Sequence, residues 1–134
     1  MRGEFDMVQD INQKIVFATT VQEIGQEARD FSEIKMAILF GDEAPDALRS
    51  SCYIIKVKPV QTQITAQMLL QIDDECYPIT AVGNEVQTNL NNLGHIAISF
   101  TGAVNAELPG TLYVADRPYP DIQVGSKIYI KQVN

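Results

Sequence analysis

The chain has 134 residues, a formal net charge of −7 and 46% hydrophobic residues, which fits one ordinary globular domain with its own core. The negative charge argues against binding to nucleic acid or to an anionic membrane surface, and it suits a basic protein partner. No apolar run reaches the roughly 20 residues that span a bilayer, and the first residues lack the apolar stretch of a secretory signal. We therefore expect a cytoplasmic protein without direct membrane insertion.

The chain begins with a polar segment that is followed by a strand. Residues 1–13 have no apolar period, so we expect them to be poorly ordered and expect a single domain over residues 14–134. The run Lys14–Ile24 is rich in β-branched residues and predicts the first strand, which Gly25 ends. The charged residues 26–33 that follow show no clear pattern.

A buried strand and one helical turn are predicted next. The short apolar run Lys35–Phe40 ends in a Gly41-Asp42 turn, which is typical of a buried strand. Asp46–Arg49, just after Pro45, is expected to form a single helical turn.

Cys52–Lys58 predicts a strand whose inward face the pattern leaves open. Both alternating sets of side chains are partly apolar: Tyr53, Ile55 and Val57 on one side, Cys52 and Ile54 on the other. Lys56 and Lys58 favour the first set as the inward one. Pro59 ends this strand or places it at an edge.

A hairpin is predicted in the middle of the chain. Ile64–Ile72 is ambiguous between helix and strand, and Tyr77–Val82 has the composition of a strand. The short turn Asp73–Glu75 between them favours a hairpin.

One short helix is predicted over Glu85–Leu93. Three apolar residues lie at helical spacing: Val86, Leu90 and Leu93. Asn84 is the expected N-cap, with Gln87 in the capping-box position. Gly94 is expected to end the helix in a left-handed conformation.

The only histidine, His95, begins the next predicted strand. Strand alternation assigns three residues to the core: Ile96, Ile98 and Phe100. His95 shares the opposite face with Ala97 and Ser99, and we expect His95 and Ser99 to reach solvent or a cleft.

Two more strands complete the predicted fold. Thr111–Val114 follows a loop that begins at Thr101-Gly102, and Lys127–Gln132 alternates as the last strand. Between them, Asp116–Pro120 contains two prolines and is expected to cross the surface without pairing. Seven to eight short strands and one helix indicate an all-β fold, either a small antiparallel barrel or a sandwich.

The two cysteines, Cys52 and Cys76, lack C-x-x-C spacing. In a protein that is not exported, we expect the two cysteines to be small buried apolar residues rather than a disulfide. Their spacing with His95 does not support a zinc site, so we expect no metal and no cofactor.

His95 is the candidate catalytic residue. Imidazole is a competent nucleophile near neutral pH, so a lone histidine suits direct acceptance of a phosphoryl group better than hydrolysis. The alternative is an ordinary surface histidine at the start of a strand. Because the helix C-terminus disfavours a phosphoryl dianion, a phosphorylated His95 would need donors such as backbone N–H groups, Ser99, Thr101 or Thr80.

Four segments of the C-terminal half resemble one known family. They are YPITAVG (Tyr77–Gly83), NLNNLGHI (Asn89–Ile96), ELPGTLYVA (Glu107–Ala115) and DIQVGSKIYI (Asp121–Ile130). In order and spacing they resemble the glucitol/sorbitol-specific enzyme IIA component of the bacterial phosphoenolpyruvate-dependent sugar phosphotransferase system. The resemblance covers most of residues 77–132, and the N-terminal half fits more loosely.

The resemblance implies a cytoplasmic phosphocarrier. Such proteins accept a phosphoryl group on a histidine from the histidine-containing phosphocarrier protein and pass it to the IIB part of a sugar permease. The glycine-histidine pair of the family motif falls on Gly94-His95. A homodimer is left open.

The chain departs from the family pattern in one segment. Some members carry histidines where this chain has Cys52–Val57, and a phosphorylation site has also been placed there; this chain has Ile54, Ile55 and Lys56. His95 is therefore the one histidine available for phosphoryl transfer. The alternative function is a catalytically silent β-barrel module with a binding or regulatory role.

Overall fold

The computed structural model describes residues 13–133, and its strands close into a barrel. Eight strands lie in this range: β1 (Gln13–Ile24), β2 (Met36–Gly41), β3 (Tyr53–Ile55), β4 (Leu69–Ile72), β5 (Glu75–Val82), β6 (Ile96–Ser99), β7 (Thr111–Val114) and β8 (Lys127–Val133). Their order around the barrel is β1-β3-β2-β6-β7-β5-β4-β8. The all-β class is confirmed, in its barrel form. The segment expected to be poorly ordered lies outside the described residues, except for Gln13, which begins β1.

Six of the eight neighbouring strand pairs are antiparallel, and two are parallel. The parallel pairs are β2 with β3 and β6 with β7. In both cases the chain crosses from one end of the barrel to the other before the next strand begins, through residues 42–52 and 100–110. Side-chain alternation assigns faces but does not encode which strands pair, so the sequence did not predict these two crossovers.

Three short helices lie between the strands in the described range: a 3-10 helix (Ala28–Ile34), α1 (Asp46–Arg49) and α2 (Val86–Leu93). The predicted turn at Asp46–Arg49 and the predicted helix before Gly94 are therefore confirmed. The 3-10 helix was not predicted, because its sequence is charged and only Ala28 in it is buried.

The predicted N-cap of α2 is wrong. The cap residue is Glu85, one position later than Asn84, and it makes no side-chain capping hydrogen bond. The backbone N–H of Glu85 instead donates to the carbonyl of Pro109, at 2.8 Å. Gln87 does not form a capping box either: its side chain accepts from the N–H of Ile64 at 2.9 Å. Tertiary contacts have replaced the local cap.

The predicted hairpin is confirmed, with β4 and β5 paired from Leu69↔Pro78 to Ile72↔Glu75. Its turn contains Asp73 at a positive φ of 51°. The Asp73 carboxylate accepts hydrogen bonds from the Ser126 hydroxyl at 2.7 Å and from the backbone N–H of Lys127 at 2.9 Å. The hairpin turn is thus tied to the start of β8.

The barrel interior is filled by the alternate side chains of the strands, as expected from period 2. The predicted core residues of β6 and the position after it are buried: Ile96, Ile98 and Phe100. In β3, Tyr53 and Ile55 face this interior. Ile54 faces outward but is also buried, in a second cluster with Phe40, Ala44 and Cys52. Because β3 is covered on both sides, both of its alternating sets are apolar.

The long connection between β7 and β8 crosses the surface without strand pairing at Asp116–Pro120, as predicted. Tyr119 anchors it to the barrel. Its hydroxyl donates to the carbonyl of Met36 at 3.1 Å and lies 3.0 Å from the Tyr53 hydroxyl. Burial raises the pKa of Tyr119, with a further contribution from the hydrogen bond with Tyr53.

Candidate functional site

His95 lies in the connection between the end of α2 and the start of β6. Gly94 adopts a left-handed conformation with φ of 68°, which confirms the predicted helix end. The backbone N–H of Gly94 donates to the carbonyl of Leu90 at 3.1 Å, and that of His95 donates to the backbone carbonyl of Asn89 at 3.2 Å. Both bonds satisfy carbonyls near the end of the helix, and the one from Gly94 is the bond of the αL cap motif. The backbone at His95 is therefore held by the helix that precedes it.

A close approach of two glycines places this helix end against β2. A Cβ atom on Gly94 would lie 3.1 Å from the backbone N of Gly41. A Cβ atom on Gly41 would lie 2.5 Å from the carbonyl oxygen of Leu93, a distance that real Cβ atoms do not show. The contact between α2 and β2 therefore requires glycine at Gly41, and Gly94 needs it for its positive φ as well.

The His95 ring stacks on Phe40. The antiparallel register of β2 and β6 pairs Leu39 with Ile96, so the next position along each strand brings Phe40 opposite His95. The two ring centroids are 4.1 Å apart and the rings are inclined by 11°. Phe40 belongs to the outer apolar cluster, so His95 covers one side of that cluster on the outside of the barrel.

The prediction of an open face around His95 is only partly right. His95 is half-buried, and Ser99 is buried with 5% of its surface exposed. Alternation did place both side chains outside the barrel. The outer wall itself is covered here, however, because Phe40 packs on His95 and the Ser99 hydroxyl lies 3.0 Å from that of Thr101.

The electrostatic setting of His95 favours a neutral ring. Burial lowers the pKa of His95 from its ordinary value. Among residues 13–133, no carboxylate forms an ion pair with the imidazole. The hydroxyls considered as donors are engaged elsewhere: Thr80 donates to the carbonyl of Ala103 at 2.6 Å, and Ser99 pairs with Thr101. The structure does not bring these hydroxyls to His95.

A cavity of about 650 Å³ lies beside the stacked pair. Its lining is apolar at Phe40, Pro45, Val57 and Leu93 and polar at Gln22, Asp42, Glu43, Lys56 and Asn92. His95 does not line this cavity; its stacking partner Phe40 does. Sequence reasoning missed Phe40 as a site residue, although its position next to inward-facing Leu39 in β2 marks it as outward-facing.

Arg49 binds Asp42, one of the residues that line this cavity. Its guanidinium pairs with Glu23 at 2.9 Å and with Asp42 at 3.2 Å, and it also donates to the carbonyl of Asp42 at 2.8 Å. These contacts fix the turn after β2 over the end of α1. The hydrogen bonds to Glu23 and Asp42 raise the pKa of Arg49, and the bond from Arg49 lowers the pKa of Glu23.

Both cysteines are free thiols. Cys52 is buried, as expected, and its thiol donates to the carbonyl of Leu48 at 3.1 Å. Cys76 is half-buried. Within the described residues no three His, Cys, Asp or Glu side chains come together as a metal-binding group, so Cys52, Cys76 and His95 form no such set.

None of the helices described between residues 13 and 133 is long and apolar enough to cross a membrane.

Comparisons with known proteins agree on one family. A family model described as the PTS system glucitol/sorbitol-specific IIA component matches residues 16–129. The chain is 33% identical over 119 residues to the glucitol/sorbitol-specific EIIA components of Shigella flexneri and of Escherichia coli K12, covering 89% of this chain and 97% of each relative. The crystal structure of a PTS system IIA component from Enterococcus faecalis V583 is similar with a TM-score of 0.76 and 33% identity, covering 85% of this chain and 99% of that one.

The glycine contact predicts a stability difference between two alanine variants. Gly41→Ala should lower the free energy of unfolding by about 1–3 kcal/mol, because its Cβ atom would overlap the backbone of Leu93. Gly110→Ala is the control, since nothing lies within 4 Å of a Cβ atom there. Urea unfolding followed by circular dichroism measures both. Equal midpoints for the two variants would show that the contact does not hold the helix end.

The lowered pKa of His95 predicts a pH-dependent contribution to stability. The folded state binds the imidazole proton less readily than the unfolded state, whose pKa is near 6.5. The wild-type free energy of unfolding should therefore fall relative to that of His95→Gln as the pH drops through 6.5 toward the folded value. Above 6.5 the difference should be constant.

The ring resonances of His95 give a direct check by NMR, because this is the only histidine of the chain. Their titration midpoint should lie below 6.5. A midpoint at or above this value would contradict the buried, stacked environment of the ring.

Proposed function

The chain belongs to the family of glucitol/sorbitol-specific IIA components of the PTS, and on that premise we propose that it is a phosphocarrier with His95 as the phosphoryl acceptor. The observation that carries the proposal is the position of the chain's only histidine. Its ring lies outside the barrel wall, half-exposed and held by Phe40 and by the end of α2. A partner protein can approach such a ring without any opening of the core.

The proposed reaction is transfer of a phosphoryl group between two histidines. A ring nitrogen of neutral His95 attacks the phosphorus atom of the donor's phosphohistidine with its lone pair, and the donor's N–P bond breaks. The donor nitrogen recovers that electron pair, and His95 now carries the N–P bond. Onward transfer reverses these steps with the acceptor in the donor's place. The lowered pKa of His95 supports this role, because only the neutral ring has a free lone pair.

The surroundings of His95 support transfer more than storage. The C-terminal carbonyls of α2 lie next to it, and they disfavour a phosphoryl dianion by about 0.3–1 kcal/mol. Asp42 and Glu43 line the neighbouring cavity, against a single cation there, Lys56. A phosphoryl group that the site does not hold strongly is easily passed on.

The partners follow from the family resemblance. We propose that the histidine-containing phosphocarrier protein supplies the phosphoryl group and that the IIB part of a sugar permease receives it. We propose that the exchange takes place in the cytoplasm. We also propose that residues 14–134 of this chain form the single domain that takes part in it.

A catalytically silent module is the second candidate, and a specific observation favours it. The segment that carries histidines in some members here holds Ile54 and Ile55, and both are fully buried. No hydroxyl considered as a donor reaches His95. Under this hypothesis the protein keeps the fold and binds partners without carrying phosphate.

A phosphorylation assay separates the two functions. The protein is incubated with phosphoenolpyruvate and the two general phosphocarrier proteins of the system, and its intact mass is measured before and after mild acid. The wild type should gain one acid-labile phosphoryl group, and His95→Gln should gain none. Loss of the stacked ring should cost about 0.5–1.5 kcal/mol, so the variant should remain folded by circular dichroism.

Two outcomes would contradict the proposal. Phosphoryl uptake by a folded His95→Gln protein would show that another residue is the acceptor. No uptake by the wild type, with the general carriers shown to be active on another IIA protein, would favour the silent module.

A further inference from the structure

A second concave surface lies on the outer wall of the barrel, beside β1 and β8. It is a groove of about 220 Å³ lined by Ala18, Thr19, Thr20, Lys56, Lys58, Lys127 and Tyr129. We call it the lysine groove. Neither His95, the proposed phosphoryl acceptor, nor its stacking partner Phe40 lines it.

Strand alternation builds the floor of the lysine groove. In β8, Ile128 and Ile130 face the core, so Lys127, Tyr129 and Lys131 face outward. The register of β1 and β8 sets Ala18 opposite Tyr129 and Thr20 opposite Lys127. The small side chains of β1 thus leave the Tyr129 ring and the lysine side chains uncovered.

The segment after β3 forms the other wall of the groove. The hydroxyl of Thr19 donates to the carbonyl of Lys56, and the backbone N–H of Lys56 donates to the backbone carbonyl of Thr20 at 3.4 Å. These bonds hold Lys56 and Lys58 beside β1, where both line the groove. Lys131 of β8 lies outside the lining: its ammonium is 5.2 Å from the centre of the Tyr129 ring and donates to the side-chain oxygen of Gln71 at 2.7 Å.

The positive charge of this groove is not neutralised within the described residues. None of the three lysines that line it forms an ion pair there, whereas Lys35 pairs with Asp116 and Arg49 pairs with Glu23 and Asp42. The carboxylate of Asp73, which accepts from the Ser126 hydroxyl and from the backbone N–H of Lys127, forms no ion pair with these lysines. A chain with net charge −7 therefore has three exposed lysines without ion pairs in one groove that also contains a tyrosine.

These features fit an acidic protein segment better than other anions. The net charge of −7 repels extended polyanions and a second copy of the chain. A short segment lies within the screening length of about 8–10 Å around the lysines and responds to the local charge. Tyrosine is enriched in protein interfaces and offers an aromatic surface between the ammonium groups. We propose that the lysine groove docks an acidic segment of a partner protein.

The test uses an acidic peptide as the probe. An end-blocked octapeptide of alternating Glu and Asp is titrated into the isotope-labelled full chain at low salt, and amide shifts are followed by NMR. Saturable shifts should centre on Thr20, Lys56 and Tyr129 and should weaken as salt is raised. An equivalent lysine peptide should produce no such pattern.

Two matched variants test whether peptide binding depends on the charge of the groove or on the net charge of the protein. Lys127→Gln should weaken peptide binding about fivefold, since one ammonium near an anionic surface contributes about 1 kcal/mol. Lys14→Gln changes the net charge by the same amount, but Lys14 is an exposed residue outside the groove, and binding should change less than twofold. Neither substitution removes a residue proposed to carry phosphate.

Four results would overturn the proposal. The first two are an absence of saturable shifts and equal weakening by the two variants. The third is binding only to vesicles of phosphatidylcholine with phosphatidylglycerol, which would assign the lysines to a membrane, and the fourth is shifts produced equally well by inorganic phosphate, which would assign the groove to a small anion. Phosphorylation of His95 is measured separately, so its failure would leave this result unaffected.

Discussion

The contact between Gly41 and Gly94 is the constraint on which the site depends. It brings the end of β2 and the end of α2 closer than any side chain would allow. Because α2 ends there, His95 enters β6 directly opposite Phe40, and the two rings stack. If the ends of β2 and α2 lay farther apart, the outer face of Phe40 would be exposed to solvent. The His95 ring would then have no stacking partner to fix its orientation. The position of the proposed acceptor is therefore set first by the backbone contact of the two glycines, and only then by the stacking of its side chain.

The outer wall of the barrel has two chemically different regions. Over β2 and β3 it carries its own apolar cluster of Phe40, Ala44, Cys52 and Ile54, which the turn held by Arg49 and the ring of His95 help to cover. Over β1 and β8 it carries small residues, a tyrosine and unpaired lysines. Lys56 borders both regions, since it lines the cavity beside Phe40 and the lysine groove. A partner engaged at one region lies next to the other.

Local pattern predicted the elements well and their environment less well. The strand Thr111–Val114 and the turn Asp46–Arg49 have the predicted bounds, because their signals, β-branched and aromatic composition and a preceding proline, are local. The Asn84 cap failed because the helix begins one residue later, at Val86, after Glu85 has donated its N–H to the carbonyl of Pro109, which is distant in sequence. Likewise, alternation placed His95 outside the barrel, but only the pairing of β2 with β6 shows that Phe40 covers it. The lysine groove combines residues from three separate segments, so no single stretch of sequence signals it.

Two opposing effects set the protonation of His95. The end of α2 favours a cationic ring, by about 0.3–1 kcal/mol for a charge in the last turn. Burial, to which the stacked Phe40 ring contributes, disfavours the cation and lowers the pKa of His95. In the proposed reaction the same helix end would face a dianion after transfer, while Thr80 donates to the carbonyl of Ala103 and Ser99 and Thr101 bond to each other rather than to His95. Under the proposal, backbone N–H groups and groups of the docked partner remain as the donors for a phosphorylated His95.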